Sequence, residues 1–393
     1  MAGLIPVAEA LERALALVAA LGAEDVPLRG AGGRVLARPV VARHPQPPFD
    51  ASVMDGFAVR AEEARPGATF RVVGEAAAGG GQAPAVGPGQ AVRILTGAPM
   101  PEGASRVVIQ EDVVREGDAI TLSDALDPGP YVRPAGGDFA PGDALPPGVL
   151  TPGRVALAAA MGAGVLPCAR RPAVAILATG DELVPPGEPL GPGRIHASNG
   201  YGLAAMVEAA GGEARLLPIA RDDERSLREV IGLAEGADVV VTMGGASVGD
   251  RDLVGPVLEA MGMRRSFWRV AMRPGKPLMA GRLGGAAVLG LPGNPVSSLV
   301  CGRVFLVPML RRMLGLDPAE AHLPMRLASP LGANGPRAHY MRAAREGGAV
   351  RVAERQDSAL LSVLAASDAL VVRPPGDPAR REGDLVDVLP LAV

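Results

Sequence analysis

Three apolar runs, each breaking into a glycine-bearing loop, decide the fold: AVAILATGDEL at 173–183, DVVVTMGG at 238–245 and AAVLGLPGNPVSS at 286–298. Runs of about six apolar residues bounded by Gly, Pro and Asx read as strands buried on both faces. Helical patterns at 201–210, 224–234, 252–261 and 296–314, with a further strand at 214–219, fill the intervals. This alternation from 172 to 315 predicts a parallel sheet wrapped by helices. In such sheets ligands bind at the carboxyl ends of the strands.

Working outward, 393 residues exceed what one hydrophobic core organises. Val7, Leu11, Ala14, Leu15 and Val18 recur at helical spacing behind Pro6, predicting a first helix that ends near Gly22. An extended, Pro-rich stretch (34–48) leads to β runs at 69–73, 91–95, 106–110 and 119–122, a β-rich insert, in which Met54 and Phe57 read as core. A second Pro/Gly-rich passage, 127–152, leads to an Ala-rich helix at 155–161, which is expected to pair with the first helix. Beyond Pro318, β runs at 349–353, 369–373 and 384–389 suggest a small C-terminal barrel. The expected layout is a multidomain α/β and β chain: 1–48 plus 127–171 as a discontinuous N-terminal and linker domain, 49–126 β-rich, 172–317 α/β, and 318–393 a β-barrel.

Composition excludes several classes. A net charge of −3, few aromatics and no basic run argue against a nucleic-acid partner. No stretch reaches the roughly 18 apolar residues of a membrane span, and Glu9, Glu12 and Arg13 break any leader pattern, so a cytoplasmic protein without membrane contact is expected. Cys168 and Cys301 are isolated, and His44, His196, His322 and His339 form no ligand-spaced pair, so a metal would be held by carboxylates and phosphates. Lys276 is the only lysine among 39 Lys and Arg. A type that survives once, in a loop of Gly and Pro, suggests a place where a compact ammonium is needed.

The strand-end loops carry the candidate chemistry. Thr179, Gly180 and Glu182 follow the first run; Gly244, Gly245, Ser247, Gly249, Asp250 and Asp252 follow the second; Pro292, Gly293, Asn294 and Pro295 follow the third. Glycines let backbone N–H groups approach phosphate oxygens, and Asn294-Pro295 reads as an N-cap with proline at the first helical position. Each loop alone is also compatible with ordinary turn chemistry. Together with Arg273-Pro274-Gly275-Lys276-Pro277, they suit an oxyanionic or phosphorylated substrate bridged by Mg²⁺ to Glu182, Asp250 and Asp252. Asp55-Gly56 and Thr96-Gly97 read, by themselves, as turns.

PFDASVMDGFAV (48–59), ILTGAPMPEG (94–103), ATGDEL (178–183), GGASVGDRD (244–252), RPGKP (273–277) and LPGNPVSS (291–298) resemble, in order and spacing, the signatures of the MoeA family, the molybdopterin molybdenumtransferases. The resemblance implies molybdenum cofactor biosynthesis: Mg²⁺-dependent insertion of molybdate into adenylylated molybdopterin with release of AMP. It implies a homodimer of four-domain subunits whose active site lies between the α/β domain of one subunit and the N-terminal β-rich domain of the other. Asp55, Thr96 and Asp138 would then project into the partner's cleft, opposite Glu182, Asp222, Asp250 and Asp252. Molybdate would be held by Arg273, Lys276, Pro277, Ser297, Arg342 and Ser358. The upstream adenylyltransferase and target molybdoenzymes are the implied protein partners.

Three positions depart from the family pattern: Arg273 stands where lysine is frequent, His196 where aspartate is common, and Met243 where serine is frequent. They leave room for a paralogue or a tungstate preference. Two other readings stay open, a molybdopterin adenylyltransferase and a non-catalytic scaffold like the related gephyrin E-domain.

Overall fold

A computed structural model describes residues 4–244, 253–319 and 322–392. Two compact units emerge: Met1–Asp25 with Gly33–Ala37 and Pro167–Val393, and Val26–Gly32 with Arg38–Leu166.

The first unit holds the predicted α/β sheet. Glu213–Leu216, Ala173–Ala178, Val239–Met243 and Ala286–Leu291 lie side by side, all parallel. Met279–Leu283 and then Arg264–Trp268 extend the sheet as antiparallel strands, the latter at its edge. Neither strand is expected from the sequence, because their Gly281, Arg264 and Arg265 interrupt the apolar run. Both faces are covered. Val174, Ile176, Val239, Val241 and Leu289 point to one apolar core, while Ala175, Leu177, Val240 and Val288 point to another under helices Glu224–Gly232 and Val254–Ala260. Burial on both sides is why the strands read as continuous apolar runs rather than alternating ones.

Ahead of the sheet, helix Val7–Leu15 stops short of the predicted Gly22. Its Ala10 and Ala14, with Val18 beyond it, are buried in the α/β core, and Ile5 bridges to Val270. The expected pairing with the Ala-rich helix therefore does not hold: that helix, Pro152–Ala160, belongs to the other unit. The first helix packs instead on the strand Arg264–Trp268 and the long helix that precedes the barrel. That long helix, expected over 296–314, runs as Pro295–Cys301, a π-helical turn Gly302–Leu306, and Val307–Met313. The widened turn lies just ahead of Pro308, which lacks the N–H that a regular helix would use there.

The same unit ends in a closed five-stranded barrel. Ala338–Glu346 pairs with both Ala349–Val352 and Ala369–Arg373; Leu385–Pro390 and Leu323–Leu327 complete the ring. Leu327, Ala343, Val350, Val371 and Val388 fill it. Closure leaves no free edge among these strands. Met272–Arg273 adds to Ala338–Glu346 in parallel, placing Arg273 opposite His339.

In the second unit a six-stranded sheet runs in the order Arg106–Ile109, Gly56–Val59, Gln90–Ile94, Thr69–Ala76, Ala119–Leu122, Val113–Glu116. Phe57 is core, 4% exposed, but Met54 is 40% exposed on the turn before the strand, contrary to its expected burial. Among the described residues no helix is long and apolar enough to cross a membrane.

Gly56 is fixed by close packing: a Cβ there would lie 2.0 Å from the Val108 carbonyl oxygen. Gly56→Ala is expected to cost about 1–3 kcal/mol as the strands are forced apart, read as a lower unfolding midpoint in a thermal melt. An unchanged midpoint would contradict this packing.

Candidate active site

Because the strands are parallel, their carboxyl ends share one edge, and the loops meet there. Thr179 N–H donates to Met243 O at 3.1 Å and Gly244 N–H to Leu291 O at 3.3 Å, so neighbouring strand ends are laced together. Around them opens a cavity of about 680 Å³. Thr179, Glu182, Gly244, Lys276, Pro277 and Pro292–Pro295 line it, with Ile195–Gly200 on another side. A second cavity of about 700 Å³ is lined mainly by apolar residues of the first helix and the barrel, and it carries none of the strand-end loops.

Glycine geometry shapes the walls. Gly180 has φ +152° and Gly244 φ +88°; a Cβ on Gly180 would stand 2.6 Å from the Glu182 carboxylate, and one on Gly244 2.8 Å from Thr179 O. Thr179 Oγ1 donates to Asp222 Oδ1 at 2.9 Å, so these two predicted residues are brought together. Asn199 Nδ2 donates to Gly293 O at 2.7 Å, tying the start of helix Asn199–Ala209 to the PGNP loop. Asn294 precedes Pro295 at the opening of the next helix but makes no side-chain cap; its Nδ2 donates instead to Ser358 Oγ at 3.2 Å. Two helix amino termini thus face one cavity, an arrangement that favours anions.

Of the six residues assigned to an oxyanion, Lys276 and Pro277 line the cavity, and Ser358 stands one hydrogen bond away through Asn294. Ser297 is buried in the first turn of the helix. Arg342 is 1% exposed: Nη1 donates to Asp357 O at 2.7 Å and Nε to Gln356 Oε1 at 3.2 Å. Burial lowers its pKa below the usual arginine value, against the opposing pull of Asp357. Arg273 is exposed and, among the described residues, does not line the cavity; it lies beside His339.

Beneath the lysine loop, Gly275 (φ +124°) rests on sulfur: a Cβ there would meet Cys301 Sγ at 2.6 Å and Met272 Sδ at 2.9 Å. The Cys301 thiol is pushed up by burial and stays neutral.

In the second unit, Asp55 accepts from Thr96 N–H at 2.7 Å and Thr96 Oγ1 at 2.8 Å. These two bonds, with Arg93 nearby, hold its pKa below the ordinary carboxylate value despite some desolvation. Asp138 is exposed and joined to neither by any hydrogen bond among the described residues. Gly245, Ser247, Gly249, Asp250 and Asp252 lie outside the described residues. Among the described ones, no group of three His, Cys, Asp or Glu is placed to hold a metal.

Sequence reasoning missed Asn199 as a tie between loops, although an asparagine at a strand end in a chain with few of them was the available signal. His196, which lines the cavity, and His339 were passed over for lack of a spaced partner.

Three regions of the chain match known family profiles: the MoeA N-terminal region (domain I and II) over 5–162, a probable molybdopterin binding domain over 175–312, and the MoeA C-terminal region (domain IV) over 324–391. A molybdopterin molybdenumtransferase of Nostoc sp. is 40% identical over 304 residues, 75% of this chain and 70% of that protein. Molybdopterin molybdenumtransferase 2 of Mycobacterium tuberculosis is 39% identical over 326 residues, 78% of this chain and 80% of that one. The crystal structure of the molybdopterin biosynthesis MoeA protein from Pyrococcus horikosii superposes with a TM-score of 0.85 at 32% identity, covering 99% of both chains.

His339 is buried and its pKa is lowered to about 4, first by desolvation and then by Arg273, Arg373, Arg342 and Arg337. An unfolded histidine binds a proton near pH 6.5, so the unfolded chain takes up a proton the folded one refuses. Stability from this site is full above pH 6.5 and falls as pH drops toward about 4. His339→Gln is expected to lose less stability than the parent between pH 7 and pH 4.5 in urea melts; parallel losses would contradict the assignment.

Proposed function

The chain belongs to the MoeA family, an enzyme family of molybdenum cofactor biosynthesis, and from that premise we propose that it inserts molybdate into adenylylated molybdopterin with release of AMP. The observation that carries this reading is the meeting of the chain's only lysine with Thr179, Glu182, Gly244 and Asn294 around one cavity. A tetrahedral dianion needs a cation, hydroxyls and backbone amides, and that cavity edge supplies Lys276, Ser358 by way of Asn294, and two helix amino termini.

Each residue has a defined task in this reading. Lys276 holds the oxyanion and offsets the charge gathered when molybdate and the adenylate phosphate share the cavity. Arg342 and Ser358 add donors from the barrel side, and Pro277 shapes the wall. Gly180, Gly244 and Gly293 let backbone approach the pyrophosphate, while the Asn199–Gly293 bond keeps the loops in register. Asp222 orients the Thr179 hydroxyl. The partner subunit's Asp55 and Thr96, already locked to each other, complete the site in a homodimer.

Mg²⁺ is the implied cation. Glu182 at the cavity and Asp222, bonded to Thr179, would offer it hard carboxylate oxygens, with Asp250 and Asp252 as the further carboxylates of the family motif. When bound, the ion neutralises phosphate oxygen charge. Tungstate has the same shape and charge as molybdate, and the described groups do not choose between them. A cytoplasmic setting completes the proposal.

The test is product identity. Purified protein with adenylylated molybdopterin, Mg²⁺ and molybdate is expected to release AMP, and Lys276→Ala to slow it roughly 10–100-fold at limiting molybdate, the loss of one charge-assisted bond. Full activity in that variant would remove Lys276 from the site. Adenylylation from ATP would instead indicate the upstream enzyme, and no turnover of either kind a scaffold.

A further inference from the structure

The strand-end cavity holds an imidazole to which no role has been given. Among the described residues that line it, the charged and imidazole side chains are Glu182, His196 and Lys276. Lys276 serves the oxyanion and Glu182 the cation in the proposed function. The hydroxyls of Thr179 and Ser198 and the amides of Asn199 and Asn294 already donate within the protein. His196 is exposed on the cavity wall, so a ligand in the cavity can reach it directly.

The backbone holds His196 from both sides. Ile195–His196 pairs in parallel with Leu183–Val184, and Ile195 N–H donates to Glu182 O and Ala197 N–H to Val184 O, each at 2.9 Å. The ring is oriented as well, with Nδ1 at 3.3 Å from Pro185 O. A carbonyl oxygen only accepts, so Nδ1 carries the proton, and Nε2 of the neutral imidazole is left as an acceptor. An acceptor has nothing to offer an unprotonated phosphate or molybdate oxygen. It fits a hydroxyl. In adenylylated molybdopterin the ribose is bonded to the phosphate, so its hydroxyls are donors close to whatever the anion-binding loops hold. A carboxylate accepts from a ribose hydroxyl in the same way at the strand ends of dinucleotide-binding sheets. Aspartate, common at this position in the family pattern, and the oriented His196 both present an acceptor, and the neutral imidazole does so without setting a negative charge beside the phosphates.

We propose that His196 is a substrate-contact residue: its Nε2 accepts a hydrogen bond from a ribose hydroxyl of the adenylyl group, which seats the sugar against Ile195–Ala197 while the phosphate faces Lys276. This rests on the reading of the strand-end cavity as the site for adenylylated molybdopterin.

The experiment uses the full-length protein with AMP, 2′-deoxy-AMP and 3′-deoxy-AMP as probes, titrated by calorimetry. One of the two deoxy analogues is expected to bind the parent protein about fivefold more weakly than AMP, the effect of one neutral hydrogen bond. His196→Ala is expected to weaken AMP by a similar factor and to bind AMP and that analogue equally, because the hydroxyl no longer has a partner. His196→Asp restores an acceptor and is expected to regain the preference for the hydroxyl, a rescue that a merely structural role would not give. Far-UV dichroism establishes that each variant is folded. No binding of AMP by the parent protein, equal affinity for all three nucleotides, or a preference that persists in His196→Ala would each overturn the contact. With AMP still released from adenylylated molybdopterin by the parent protein, those results would leave the reading of the cavity intact. Absence of that release would overturn the reading itself.

Discussion

Four parallel strands must all finish on the same edge of their sheet, and everything proposed for the site depends on that constraint. The shared direction of Glu213–Leu216, Ala173–Ala178, Val239–Met243 and Ala286–Leu291 brings the carboxyl ends of the last three to one cavity. The buried strand faces supply the stiffness: with apolar cores on both sides, the strand ends cannot drift, and glycines at 180 and 244 bring backbone within reach of a ligand.

Charge is then placed on this frame sparingly. Lys276 sits exposed at the cavity on a loop seated upon Cys301 and Met272, while Arg342 is buried and carried by neutral acceptors only. Among the described residues neither cation has a carboxylate partner. Burying an unpaired charge, as at Arg342, is unfavourable, whereas exposed Lys276 stands where an incoming anion would complete the pairing. His339 fits the same pattern, since its burial, and then the arginines about it, keep it from adding a further positive charge.

Much of the α/β unit was legible because its strands are buried on both faces and its helices repeat at regular spacing. Strand Ala286–Leu291 has the bounds that its apolar run predicts. What escaped notice had a physical cause. Edge strand Arg264–Trp268 exposes its two arginines, the largely buried Met279–Leu283 is interrupted by Gly281 and Arg282, and the longest barrel strand, Ala338–Glu346, carries His339, Arg342 and Arg345 inside its pattern. The first helix was read correctly as a helix but given the wrong neighbour, because an apolar stripe states that burial is needed and not against what. At the site, Lys276 stood out by rarity and Asn294 by its place before Pro295, whereas the bond by which Asn199 ties two loops is visible only in the structure.

The central claim is that the strand-end cavity binds an oxyanion between Lys276 and the Arg342–Ser358 side of the barrel. Crystals of the protein grown with molybdate and measured at the molybdenum absorption edge test it most directly. The account predicts one strong anomalous peak in that cavity within hydrogen-bonding distance of Lys276 Nζ. A peak elsewhere, with that cavity empty at saturating molybdate, would contradict it.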